Sequence, residues 1–192
     1  MTLQGNNKED KMANEQGKVE RGRHLSQSDI DFIRKRKLAR TLAMQFIFSL
    51  DSQGDWSWDE GNFANVALTA LLLAEESETP PLRSDYEEAQ KFAQRISKGT
   101  ASHREELDFA IKAASKNWSL ERMPQVDRAI LRVASYELIF EEKIPAGTSI
   151  NEAVELAKAF GEEKSPRFIN GVLDKIRENC GKASRKAPKG KQ

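Results

Sequence analysis

The chain has 192 residues, with 31 Lys and Arg against 30 Asp and Glu, a formal net charge of +1 and 38% hydrophobic residues. That length suits one domain, and the near-balance of charge excludes a uniformly basic coat while leaving room for local basic patches. One cysteine, two histidines, no apolar run of membrane length and no apolar signal core exclude an internal disulfide, a typical zinc site, a membrane helix and secretion, so the cytosol is the expected location.

Residues 1–27 are rich in Asn, Lys, Glu and Gln and bury too little apolar surface to offset ordering entropy, which predicts a disordered polar arm. A helix is predicted from about Asp29 to Ser52, where Leu38, Ala39, Leu42, Ala43, Phe46 and Leu50 form one stripe. "GNFANVALTALLLAEES" predicts a strongly apolar second helix, and "ETPPLR" breaks it. Ser84 with Glu87, and Ser102 with Glu105, fit the capping box in which side chains satisfy a helix's unpaired N–H groups. The helices they open carry stripes at Tyr86, Ala89, Ala93 and Ile96, and at Leu107, Ala110, Ile111 and Ala114. After Pro124, "QVDRAILRVASYELIFEE" is apolar on nearly every side, the pattern of a central helix, and Pro145 closes it. Ser149 with Glu152 is read as opening the next helix, and Gly161 stands where a left-handed C-cap is wanted. Ser165 and Pro166 fit the N-cap and first position of a last helix with Phe168, Ile169, Val172, Leu173 and Ile176 inward. The fold class is all-α, a bundle of about seven helices over residues 28–179, followed by a basic flexible tail at 180–192.

No catalytic constellation assembles. Cys180 lies by the basic tail, His24 and His103 have no spacing that pairs them with a nucleophile, and no glycine-rich phosphate loop occurs. The acid pairs Glu75-Glu76, Glu105-Glu106 and Glu141-Glu142 read as solvated helix faces. A protein without enzymatic activity, metal or cofactor is expected.

Two stretches carry the chemistry of nucleic-acid binding. The run "RKRKLAR", residues 34–40, is the densest in positive charge. At about 100° per residue, Lys37, Thr41, Met44 and Phe48 share a face opposite the core stripe, flanked by Arg36 and Arg40. Cations leading to an exposed Met and Phe suit a single-stranded groove, with charge for phosphates and an aromatic face for a base. A helix buried on two sides with a solvated basic end fits the same residues. In "FGEEKSPRFING", residues 160–171, Lys164 and Arg167 sit beside a helix N-terminus that favours anions, and Lys175 and Arg177 extend the charge. Phe168 stands at the stripe's edge, open to core packing or base stacking. Gly171 suggests close approach of another backbone, and Asn170 a hydrogen bond to a neighbouring loop. Asp127 either suits the dipole of its helix or accepts from a base amino group. Glu137, amid an apolar face, is expected to be buried and hydrogen-bonded to another helix.

"ARTLAMQFIFSLD", "VDRAILRVASYELIF" and above all "INEAVELAKAFGEEKSPRFINGVLDKI" resemble the bacterial NusB family of transcription antitermination factors, in order and spacing from about Arg34 to Arg177. The resemblance implies a two-lobed, seven-helix fold. It implies binding of boxA, a single-stranded signal in ribosomal RNA leaders, jointly with the small-subunit ribosomal protein NusE. Other Nus factors and RNA polymerase complete the implied assembly. It further implies RNA contacts by Arg34, Lys35, Arg36, Lys37 and Arg40 at the head of the first helix, and an RNA face that includes Phe48, Asp127 and Phe168. Phe48 stands where the family commonly has Tyr, so stacking alone carries over. The long polar arm, "SQGDWSWDEGNF" and the "EESETPPLRS" linker depart from the shortest members. Two other readings are weighed: an RNA-recruiting module of an rRNA cytosine methyltransferase, for which about 20 residues after the last helix leave no cofactor domain, and a homodimeric scaffold. Monomer and homodimer both remain open.

Overall fold

The computed structural model describes residues 25–75, 83–115 and 118–180. The predicted arm up to residue 24, most of the "ETPPLR" break and the tail after Cys180 lie outside the described residues. Within them are seven α-helices and no strand: α1 Gln27–Gln53, α2 Glu60–Glu75, α3 Arg83–Ser102, α4 Arg104–Ala114, α5 Gln125–Phe140, α6 Ala146–Phe160 and α7 Ser165–Asn179. One 3-10 turn, Leu120–Arg122, leads into α5.

Helix α1 starts two residues before its predicted position. The Ser26 hydroxyl accepts the Asp29 N–H at 3.2 Å, and the Asp29 carboxylate accepts the Ser26 N–H at 3.0 Å, a reciprocal cap built with Asp in place of Glu. Gly54, at φ 70°, ends the helix in the left-handed conformation that Gly adopts without strain. Helix α1 packs against both α3 and α5, and α6 and α7 close the other side of α5. One continuous core results, joining Leu42, Phe46 and Leu50 to Ile96, Ile130, Leu138, Leu156, Ile169 and Leu173. Edge contacts of Phe46 with Trp58, at 6.3 Å, and with Phe63, at 5.3 Å, pin α2 to α1.

The predicted caps fail inside the chain. Ser84 is the second residue of α3, and Ser102 the last, so neither occupies an N-cap. Between α3 and α4 the backbone bonds run on, His103 N–H to the Gly99 carbonyl at 3.1 Å and Leu107 N–H to the His103 carbonyl at 3.0 Å, leaving Ser102 no first-turn donor to cap. Ser149 lies inside α6, where its hydroxyl donates to the Glu137 carboxylate at 2.8 Å. Gly161 has φ −93° and ψ −176°, extended rather than left-handed. Glycine is needed there for space: a Cβ would stand 2.7 Å from the Ser165 Cβ and 2.8 Å from the Ala157 carbonyl oxygen.

Two polar ties set the relative directions of the central helices. At one level, the buried Glu137 of α5 accepts from Arg40 Nε of α1 at 2.8 Å and Nη2 at 3.1 Å, and from Ser149 of α6, as expected for a carboxylate in an apolar face. At the other, Arg128 of α5 donates to Asp51 of α1 at 2.6 Å, while Arg132 bridges Asp51 and Asp108 of α4. Helices α1 and α5 therefore run antiparallel, with the head of α1 beside the end of α5.

Candidate nucleic-acid interface

The basic head of α1 is partly engaged with α3. Arg34 Nε donates to the buried Asp85 at 2.8 Å, and Lys35 Nζ to Glu88 at 2.7 Å, a bond that raises the Lys35 pKa. Arg36 lies over the Phe92 ring at 3.7 Å and near the Phe32 ring at 5.0 Å. Burial, reinforced by Arg40 and Arg95, pushes its pKa down. Arg40, 5% exposed, is held by Glu137; it ties α1 to α5 instead of offering its charge to solvent. Lys37 faces solvent, and together with the stronger hydrogen bond from Lys158 it lowers the Glu155 pKa on α6. The expected exposed Met is corrected: Met44 is 3% exposed, because α1 is covered by helices on more than one side. Phe48 is half-buried against the core, with one edge at the surface.

The second stretch forms a groove. Lys164, Arg167 and Lys175 line it with Phe168, Trp118 and Ser115, around a volume of about 880 Å³, and Glu163 adds one anion at the rim. The Trp118 and Phe168 rings meet at 5.8 Å with a 49° tilt, so Phe168 is anchored at one edge while Trp118 remains half exposed. Lys175 pairs with Glu178 at 2.8 Å. Lys164 and Arg167 have no carboxylate partner among the described residues. Trp118 is the residue that sequence reasoning missed; its signal was an aromatic in "KNWSLERMP" belonging to no helical stripe.

Around this groove the remaining expectations divide. Asn170 Nδ2 donates to Asp174 one turn along α7, at 2.9 Å, and reaches no neighbouring loop. Gly171 is exposed with nothing near its would-be Cβ, so no second backbone approaches it. Asp127 is 3% exposed and accepts from the Ser165 hydroxyl at 2.9 Å, while that hydroxyl accepts the Glu162 N–H at 3.0 Å. Burial, with the Glu162 charge adding, pushes the Asp127 pKa up against the opposing Ser165 bond. Asp127 thus fixes the hinge from beneath and does not present itself to a base.

The basic head and the hinge groove occupy different ends of one helix pair. Glu137, level with Arg40, and Asp127, beneath the hinge, are ten residues apart on α5, about 15 Å at 1.5 Å per residue. Helix α6 runs from the Glu137 level to the hinge, and α1 carries Lys37, Thr41 and then Phe48 in the same direction.

The NusB family profile matches residues 37–178. The chain belongs to the NusB family. It is 43% identical over 141 residues to the transcription antitermination protein NusB of Geobacter sulfurreducens, covering 73% of this chain and 92% of that one. With NusB of Clostridium botulinum it shares 42% over 147 residues, covering 73% and 98%. A solved structure of NusB from T. maritima superposes with a TM-score of 0.60 at 32% identity, covering 74% of this chain and 90% of that one. A crystal structure of antitermination factors NusB and NusE in complex with double-stranded RNA superposes with a TM-score of 0.60 at 27% identity, covering 76% and 98%. The NusB fold was therefore correctly legible in the three quoted segments, and α5 is its buried centre.

Proposed function

We propose that this chain is an antitermination factor that binds boxA RNA of ribosomal RNA leaders jointly with NusE, within a Nus complex on RNA polymerase. The observation that carries the reading is the groove at the start of α7, where Trp118 and Phe168 stand beside Lys164 and Arg167. Cations neutralise phosphates and exposed ring faces accept bases; a duplex hides its base faces, so an unpaired strand is the ligand this groove favours. Relatives named as antitermination proteins support the antitermination role, and the related complex of NusB and NusE with double-stranded RNA supports NusE and RNA as partners. Joint binding raises affinity because the second contact becomes intramolecular.

The test is fluorescence anisotropy with a labelled single-stranded boxA RNA, with and without NusE. Trp118→Ala and Phe168→Ala are each expected to lose roughly 5- to 100-fold in affinity, the range of one lost base–aromatic stack. NusE should tighten binding by the unaltered chain. Wild-type affinity in both variants, or equal affinity for a duplex of the same sequence, would refute the groove as the RNA site.

A further inference from the structure

Phe109 of α4 is 76% exposed, more than any other large apolar residue described. It lines a surface depression of about 450 Å³ with Ile139 and Phe140 of α5 and with Glu105 and Glu106 of its own helix. No cation is among the lining residues. The floor is fixed, since Phe140 stacks on Tyr136 at 5.3 Å and meets the His103 ring at 4.2 Å. Glu105 is open to solvent and comes no nearer to a cation than 3.9 Å, at Arg104, whose guanidinium also lies over the Trp56 ring at 5.2 Å. Glu106 has no cation within ion-pair distance among the described residues.

A phenyl ring, an apolar floor and two carboxylates ask for a long apolar stem that ends in a positive charge. Lys and Arg lay their methylenes on apolar surface while the charged head meets a ring face or a carboxylate. The fold makes this pairing elsewhere, where the Arg36 guanidinium lies 3.7 Å from the centre of the Phe92 ring. A phosphate strand is repelled by Glu105 and Glu106, and a second copy of the patch would set four carboxylates against one another. The charge therefore fits a basic polypeptide.

The sequence supplies one. Residues 181–192, "GKASRKAPKGKQ", hold Lys182, Arg185, Lys186, Lys189 and Lys191 and no acidic side chain. The helices bring their starting point to the patch. Ser165 begins α7 on Asp127, at the hinge. From there α7 turns back along α6, which runs toward the hinge from the Glu137 level, and covers about 21 Å at 1.5 Å per residue. Helix α4, which α7 also touches, ends at the hinge groove with Ala114, so its Glu105 stands about 14 Å away from the groove. Phe140 lies at the far end of α5 as well, about 20 Å from Asp127. Cys180 thus leaves α7 at the end of the bundle that carries the patch, and Arg185 and Lys186 can reach about 16–20 Å beyond it at 3.3 Å per residue.

We propose that residues 181–192 dock on this patch, with a cation of the Arg185–Lys186 pair laid across Phe109 and its neighbours paired with Glu105 and Glu106. The inference stands apart from the RNA reading. Exposed ion pairs are individually weak, but tethering presents the segment at an effective concentration on the order of millimolar. Docking also engages cations that would otherwise attract any polyanion.

The experiment measures backbone amide order parameters of residues 182–189 by NMR relaxation in the full chain, comparing wild type with Phe109→Ala and with Glu105→Gln combined with Glu106→Gln. All three positions are exposed, so circular dichroism should show both variants folded. Wild-type values around Arg185 and Lys186 are expected above about 0.6 and should drop below it in each variant. Salt at about 1 M, where the Debye length is about 3 Å, should lower them too. Wild-type values below about 0.6 throughout, or order that survives Phe109→Ala, would overturn the docking site. If Phe109→Ala leaves the segment unaltered but abolishes a concentration-dependent dimer in sedimentation, the patch belongs to a second copy and the proposal falls.

Discussion

Replacing Ser165 by Ala tests whether a buried hydrogen bond holds the hinge. The hydroxyl donates to Asp127 Oδ2 at 2.9 Å and accepts the Glu162 N–H at 3.0 Å. Asp127 is 3% exposed and its other oxygen has no hydrogen-bond partner, so the variant leaves a buried carboxylate unbonded. Leaving such a group unsatisfied costs about 1–3 kcal/mol. The Glu162 N–H turns to water more cheaply, because that residue is exposed. A total of about 2–3 kcal/mol is expected. Urea unfolding followed by circular dichroism should show a lower midpoint at unchanged slope. At about 2–4 °C per kcal/mol for a chain of this size, the melting temperature should fall by about 4–12 °C. RNA affinity should fall as well, since Lys164, Arg167 and Phe168 ride on the hinge that Ser165 fixes. An unfolding midpoint equal to wild type would refute the latch, and with it the positioning role given to Asp127.

The Asp127 carboxyl, raised above its ordinary 3.8 chiefly by burial, binds its proton more tightly folded than unfolded. Its contribution to stability therefore declines as pH rises from 3.8 through the folded value. Wild-type stability relative to Asp127→Asn should fall across that window in denaturant titrations; a rise would contradict the burial assignment. Arg40→Ala should cost about 3–5 kcal/mol by removing the cation that neutralises buried Glu137, whereas Arg40→Leu with Glu137→Leu should recover much of that loss in the same assay. Gly161→Ala should destabilise by about 1–3 kcal/mol, because its Cβ meets the Ala157 carbonyl oxygen. Gly171→Ala, facing open space in α7, should instead stabilise by about 0.5–1 kcal/mol in thermal melts.

By itself the sequence determined the helices, their order and the centrality of α5, because apolar spacing of 3.6 residues and proline breaks are local signals. It also determined the burial of Glu137 and the two basic stretches. Its cap assignments at Ser84, Ser102 and Ser149 failed because a Ser-x-x-Glu spacing recurs inside helices, where the serine serves a neighbouring helix or none. Only tertiary structure decided which cations are available. Arg34, Lys35 and Arg40 meet Asp85, Glu88 and Glu137, residues about 50 to 100 positions away in the chain, whereas among the described residues no carboxylate forms an ion pair with Lys37, Lys164 or Arg167. Helical periodicity places a residue on its own cylinder but says nothing of what lies across from it, so Met44 went inward, Asp127 went beneath the hinge, and Trp118 came to face Phe168.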